Sequence, residues 1–154
     1  MTSALLKRTL KLANSLHVAL YRMSGGKFAN KIANLPILLI TTFGRKSRKP
    51  YTNLVVYIKD GQDYLVSATA GGGDTEPDRY LNLKTRAEAK IEVGDAAFNV
   101  QATIVESEEH TQLYEKFKAA SSNFVKYEKS TSRVLPVIRL TPMHIYQKDK
   151  SARS

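Results

Sequence analysis

The sequence contains no cysteine, which excludes a disulfide framework, a thiolate nucleophile and a thiolate metal site. Its three histidines, His17, His110 and His144, stand apart without metal-ligand spacing, so no metal site is expected. Before Asp60 there is no Asp or Glu at all. Nowhere does an apolar run approach the roughly 20 residues needed to cross a bilayer. Charges interrupt every candidate for a signal-peptide core, and no clear cleavage site follows one. Hydrolytic chemistry also lacks its parts, because no Ser/His/Asp set or paired carboxylates can be assembled. Internal repeats, low-complexity segments and a domain linker are absent too.

What is present suits one small soluble domain. The chain has 154 residues, 42% hydrophobic and 25% charged, enough for a sizeable core. Its net charge of +10 is unevenly placed. Residues 1–59 carry eleven Lys or Arg and no acid, while residues 60–154 carry thirteen basic and fourteen acidic side chains. The excess belongs to the first part of the chain and points to an anionic partner: nucleic acid, anionic lipid or a phosphorylated ligand.

Residues 4–23 read as a helix, with Leu6, Leu10, Ala13, Leu16, Leu20 and Met23 at intervals of three or four. Two readings of it stay open: a helix packed on the domain through that stripe, or a basic amphipathic helix touching anionic membrane. Ser24-Gly25-Gly26 ends it. Strands follow at Ile37–Thr42, Tyr51–Ile58 and Asp63–Thr69, the last two joined by a hairpin at Asp60-Gly61. Gly71-Gly72-Gly73 reads as a loop, and Pro77 as the start of a short helix over Asp78–Thr85. Glu88–Val93 and Ala97–Val105 flank a second hairpin at Gly94-Asp95. A helix opens at Ser107-Glu108-Glu109, with acids in its first turn. Val134–Leu140 is the last long strand, with a possible extension at His144–Tyr146. About six strands, mostly joined by hairpins, with helices around them, predict an α+β chain built on an antiparallel barrel. The organisation expected is a helix and connector over 1–30, a barrel domain over 31–147 and a polar tail over 148–154.

Two segments stand out for chemistry. The first is Thr41-Thr42-Phe43-Gly44-Arg45-Lys46-Ser47-Arg48-Lys49-Pro50, which joins two apolar strands. Four cations within five residues repel one another, so an anion bound there is stabilising. Gly44 allows close backbone approach, and the hydroxyls and guanidinium groups can grip phosphate or carboxylate. The alternative is a solvated hairpin tip. The second is Ser67-Ala68-Thr69-Ala70-Gly71-Gly72-Gly73, whose small residues leave room for a flat ring. It reads equally well as a plain flexible loop.

These stretches, in order, resemble the deazaflavin-dependent nitroreductase family, the quinone and nitro reductase branch of the split-barrel flavin/deazaflavin oxidoreductases. The resemblance is carried by Ile40-Thr41-Thr42-x-Gly44-Arg45-Lys46-Ser47, Pro50, Lys59-Asp60-Gly61, Gly71-Gly72, Pro77-x-x-Tyr80-Leu81-Asn82-Leu83-Lys84 and Thr131-x-Arg133-Val134-Leu135-Pro136-Val137. It implies an antiparallel split β-barrel of the FMN-binding, pyridoxamine-phosphate-oxidase-like type, with an N-terminal helix and peripheral helices. It implies coenzyme F-420, an 8-hydroxy-5-deazaflavin with a phosphate and an oligoglutamate tail. The reaction implied is hydride transfer from C5 of the reduced ring to a quinone, nitroaromatic or other unsaturated acceptor. A cytoplasmic enzyme is expected, with helix 4–23 as the candidate for peripheral contact at the inner face of the cell membrane.

The resemblance also assigns residues. Arg45, Lys46 and Ser47, with Arg48 and Lys49 of the same loop, are to face the anionic tail. Tyr51, Thr52, Asn53, Leu54, Ser67, Ala68, Thr69, Ala70, Arg79, Tyr80, Leu81 and Asn82 are to line the cofactor. Tyr127, as the catalytic candidate, or neighbouring Phe124 is to lie over the acceptor. The family loop usually reads Gly-Arg-Lys-Ser-Gly-x-Pro-Arg. Here Arg48 replaces that second glycine and Tyr51 the second arginine, Arg79 stands where an aromatic is common, and Ala70 where lysine is common. FMN is therefore the alternative cofactor, and a non-catalytic lipid- or cofactor-binding member the alternative function. Nucleic acid is disfavoured, because interleaved exposed aromatics are missing. The oligomeric state stays open.

Overall fold

The structure, a computed structural model, describes residues 2–27, 31–32, 35–67 and 78–143. Helix α1 (Thr2–Met23) leads into strands β1 (Lys31–Ile32), β2 (Leu35–Phe43), β3 (Pro50–Val56), β4 (Ile58–Asp60) and β5 (Asp63–Ser67). Then come α2 (Asp78–Thr85), the hairpin of β6 (Glu88–Val93) and β7 (Ala96–Val105), helices α3 (Ser107–Ala120) and α4 (Ser122–Lys129), and β8 (Val137–Pro142). Every pairing is antiparallel. β2 lies between β3 and β6, and the ladder continues β6–β7–β8–β5–β4.

The expected single strand Tyr51–Ile58 is two. At Tyr57 the backbone N–H leaves the ladder and donates to Pro36 O at 3.0 Å. Before that point the strand pairs with β2, and after it with β5. Because β3 runs into β4 across this one residue, the path of strands returns to its start and forms the split barrel. The last strand begins at Val137 rather than at Val134, since Pro136 has no N–H to give to a ladder. Helix α4 and the short β1 were not anticipated. The break between α3 and α4 is at Ser121, whose extended backbone stops one helix and whose Oγ accepts the Asn123 N–H to start the next. The His144–Tyr146 extension, Pro77 and the triple glycine lie outside the described residues.

β2 is the central strand, and its run Ile37-Leu38-Leu39-Ile40 is buried on both faces. Leu38 and Ile40 point into the barrel with Ile91, Val100, Ile138 and Leu140, while Tyr80 and Leu83 of α2 close the interior. Ile37 and Leu39 point outward and are covered by Val18 and Tyr21 of α1. α3 and α4 cover a third apolar cluster around Leu65, Phe117, Phe124 and Val137. On that side Arg139 binds Asp60 at 2.8 Å, Asp63 at 2.9 Å and Glu109 at 3.0 Å. This fastens the β4–β5 hairpin to α3, and the guanidinium holds the Asp60 carboxyl below its ordinary value.

α1 packs on the barrel, but not through the stripe expected. Leu6, Ala13, Leu16, Leu20 and Met23 face solvent, and the Leu10 side chain lies outside the described residues. The docked face carries Asn14, Val18 and Tyr21. Val18 supplies packing, while Asn14 and Tyr21 satisfy backbone groups that leucine cannot. Asn14 Nδ2 donates to Thr52 O at 3.0 Å. The buried Tyr21 hydroxyl accepts from Gly94 N–H at 2.8 Å and donates to Ile37 O at 3.3 Å, and burial raises its pKa. Arg22 adds a paired contact to Glu92 at 2.9 and 2.8 Å. Just beyond the helix, Gly26 has φ of +76°, and a Cβ there would overlap the Gly94 backbone.

The Tyr21 hydroxyl is therefore the bolt between α1 and the β6–β7 hairpin. Tyr21→Phe leaves the Gly94 N–H without its partner, at a cost of about 1–3 kcal/mol. Thermal unfolding should drop by several degrees; an unchanged melting temperature would show that α1 is held by packing alone.

Candidate functional site

The turn from β2 to β3, the start of β3, α2 and the inner side of α1 border a half-open cavity of about 1000 Å³. The turn is tight: Gly44 N–H donates to Lys49 O and Arg48 N–H to Gly44 O, both at 2.8 Å. A Cβ on Gly44 would lie 2.5 Å from Ser47 Oγ and 2.8 Å from the Tyr51 ring, so only glycine fits. Ser47 Oγ accepts the Lys49 N–H at 3.3 Å and is 3.1 Å from Tyr51 Oη. Arg48 adopts φ of +61°, the left-handed region that glycine occupies without penalty. This is the position where the family loop usually has glycine.

α2 has two faces. Tyr80 and Leu83 point into the barrel, while Asp78, Arg79 and Asn82 border the cavity. The Asn82 amide joins the elements. Its Oδ1 accepts from Arg45 N–H at 3.2 Å and from Arg45 Nη1 at 3.1 Å. Its Nδ2 donates to the buried Thr42 hydroxyl at 3.3 Å. Arg45 Nη2 also meets Asp78 at 3.3 Å.

The charges lining the cavity are five cations, Lys11, Arg22, Arg45, Lys46 and Arg79, against one carboxylate, Asp78. Arg22 is paired with Glu92, and Arg45 with Asp78. Among the described residues Arg79 has no ion pair and no hydrogen bond, and burial pushes its guanidinium down to about 10. A half-buried arginine with no ion pair among the described residues, in a cavity where cations outnumber carboxylates five to one, is a receptor for an anion. The volume is at the upper end of small-ligand pockets.

Of the residues singled out from sequence, Arg45, Lys46, Ser47, Tyr51, Thr52, Asn53, Arg79 and Asn82 line this cavity. The others do not. Arg48 and Lys49 are exposed on the outer part of the turn. Leu54 is packed beneath α1. Tyr80 and Leu81 belong to the barrel interior and its edge. Ser67 is buried, its hydroxyl donating to Pro136 O at 2.7 Å. Phe124 and Tyr127 stand on α4 in the aromatic cluster, with ring centroids 5.6 Å apart. Ala68, Thr69 and Ala70 lie outside the described residues.

The inner face of α1 was missed. Lys11, Ser15, Val18 and Arg22 line the cavity, and their spacing of four, three and four is a helical stripe of its own. The more obvious leucine stripe hides it in the sequence.

Comparison with known proteins places these features. Residues 14–142 match the family described as F420H(2)-dependent quinone reductase. An F420H(2)-dependent quinone reductase of Mycobacterium tuberculosis is 35% identical over 130 residues, covering 82% of this chain and 87% of that protein. A solved F420-H2 dependent reductase (FDR-A) superposes with a TM-score of 0.63 at 27% identity, covering 68% of this chain and 93% of its own. A chain described as a domain-swapped dimer gives a TM-score of 0.65 at 22% identity, covering 90% of this chain and 98% of its own. The latter speaks for the fold alone.

The left-handed Arg48 generates a stability prediction. Arg48→Gly removes the backbone strain and one of four crowded cations, and should stabilise the protein by about 0.5–1 kcal/mol. Calorimetry should show a rise of a few degrees; a fall would mean that the arginine side chain repays its own strain.

Proposed function

Since the chain belongs to the F420H(2)-dependent quinone reductase family, we propose that it passes a hydride from reduced coenzyme F-420 to a quinone, with the cofactor's anionic tail held in the basic cavity. The observation that carries this reading is the charge of that cavity, five cations to one carboxylate, with Arg79 forming no ion pair among the described residues. The residues fit a ligand bearing phosphate and carboxylates. Lys46 and Arg79 bind it, and Arg45, held rigid by Asn82, shapes the turn and adds its field. The reduced deazaflavin, when bound, supplies the hydride from C5; the protein supplies orientation and electrostatics.

Tyr127 is assigned to the acceptor side. Its ring is half-buried beside Phe124, and a hydroxyl in that position can donate to an acceptor oxygen as that oxygen gains charge.

Fluorescence titration with coenzyme F-420, followed by turnover with menadione, tests these assignments together. The wild type should bind at micromolar concentration and reduce the quinone. Arg79→Leu should weaken binding by about tenfold, the worth of one charge-assisted contact. Tyr127→Phe should lower turnover at unchanged cofactor affinity. Failure of the wild type to bind overturns the reading; normal binding by Arg79→Leu removes Arg79 from the tail site; an undiminished rate in Tyr127→Phe leaves packing as that residue's role.

A second observation favours a location. Leu5, Leu12, Leu16 and Met23 are between 64% and 84% exposed on the outer side of α1, beside cations and with no acid in the first 59 residues. No helix among the described residues is long and apolar enough to cross a membrane. We infer that this face rests on an anionic lipid surface, where apolar burial and charge act together. The protein should co-sediment with phosphatidylglycerol vesicles more than with phosphatidylcholine vesicles. Leu12→Ser with Leu16→Ser should weaken this by at least about tenfold. Equal sedimentation of the double variant, or a stripe that drives self-association without vesicles, would reject the membrane reading.

A further inference from the structure

One wall of the cavity is α1, which lies ahead of every motif carrying the resemblance; the first of these starts at Ile40. Lys11, Ser15, Val18 and Arg22 form its cavity-facing stripe. Of the five lining cations, Arg22 has its charge taken by Glu92 and Arg45 by Asp78 and Asn82. Lys11, Lys46 and Arg79 remain, with no ion pair among the described residues. They come from three elements: α1, the β2–β3 turn and α2. Three uncompensated cations on separate walls do not converge on one small anion. They suit an extended ligand with negative groups spaced along it.

We propose that Lys11, with Ser15 beside it, binds carboxylates of the cofactor's oligoglutamate tail, so that α1 is the second wall of the tail site. The inference rests on the cofactor reading above and assigns to it a segment that the family motifs do not include. The geometry is held by the neighbouring turn of the helix. Asn14 is tied to Thr52 O at 3.0 Å, which fixes Lys11 against the edge of β3, whose Thr52 and Asn53 also line the cavity. Arg8, almost one turn earlier, is exposed and does not line it. Position, not net charge, separates the two residues.

The test is a fluorescence titration at low salt with two probes: full coenzyme F-420, and 8-hydroxy-5-deazariboflavin, which keeps the ring but lacks phosphate and glutamates. Lys11→Ala should weaken the full cofactor about fivefold or more, a single ionic contact at a half-open site. The ring-only probe should bind wild type and variant alike. Arg8→Ala should stay within about twofold for both probes, as expected for a screened distant charge. Both positions are exposed on the helix, so the variants keep the fold. Unchanged affinity in Lys11→Ala overturns the inference. So does an equal loss for the ring-only probe, or an equal loss in Arg8→Ala, which would mean a general field. Failure of the wild type to bind the full cofactor overturns the cofactor reading and this inference with it.

Discussion

Asn82 is 4% exposed, and its amide joins the end of β2 to the basic turn. Four cations at positions 45, 46, 48 and 49 repel one another, and a turn of that composition left alone would splay. The Asn82 carbonyl grips Arg45 by both its backbone N–H and its guanidinium, and the amide nitrogen reaches Thr42. One buried residue on α2 thereby sets both the shape of the turn and the distance between two walls of the cavity. A buried amide has no water to fall back on, so each of these bonds costs about 1–3 kcal/mol to break. Such stiffness is what an ionic site needs: cations held apart in advance lose little freedom when an anion arrives.

Much of this architecture is legible in the residues. The hairpins at Asp60-Gly61 and Gly94-Asp95, the helix over 78–85 and the basic turn at 44–50 follow from local chemistry. The closure of the barrel does not. It depends on one residue, Tyr57, changing the partner of a strand whose sequence reads as continuous. The docked face of α1 was hidden for a different reason. Hydrophobic periodicity finds the widest apolar stripe, but the helix is placed by residues that satisfy buried backbone groups, an asparagine and a tyrosine, and these carry little hydrophobic signal. Asn82 reads from sequence as a cofactor-lining residue; it lines the cavity and also fastens the basic turn to β2, a second role that its type alone does not signal. Leu54, Tyr80 and Ser67 do not line the cavity, because a strand and a short helix each present two faces and the resemblance alone does not say which face is which.

α1 thus has three working sides. One is bolted to the barrel by Tyr21, one contributes cations to the cavity, and one offers leucines outward. A single helix thus carries a cation stripe toward the cavity and an apolar stripe toward solvent, on faces separated by its own curvature.

The burial of β2 on both faces has a consequence for how much of the chain is indispensable. Strands in open sheets can lose a covering element and keep one wet face. Here Ile37 and Leu39 depend on α1 for shelter, while Leu38 and Ile40 depend on the barrel. A shortened protein beginning after residue 23 would keep every family motif and still present water with a row of branched side chains along its central strand. It would tend to find that cover in another molecule. The leading helix, whose second half already falls within the family match, is part of the core.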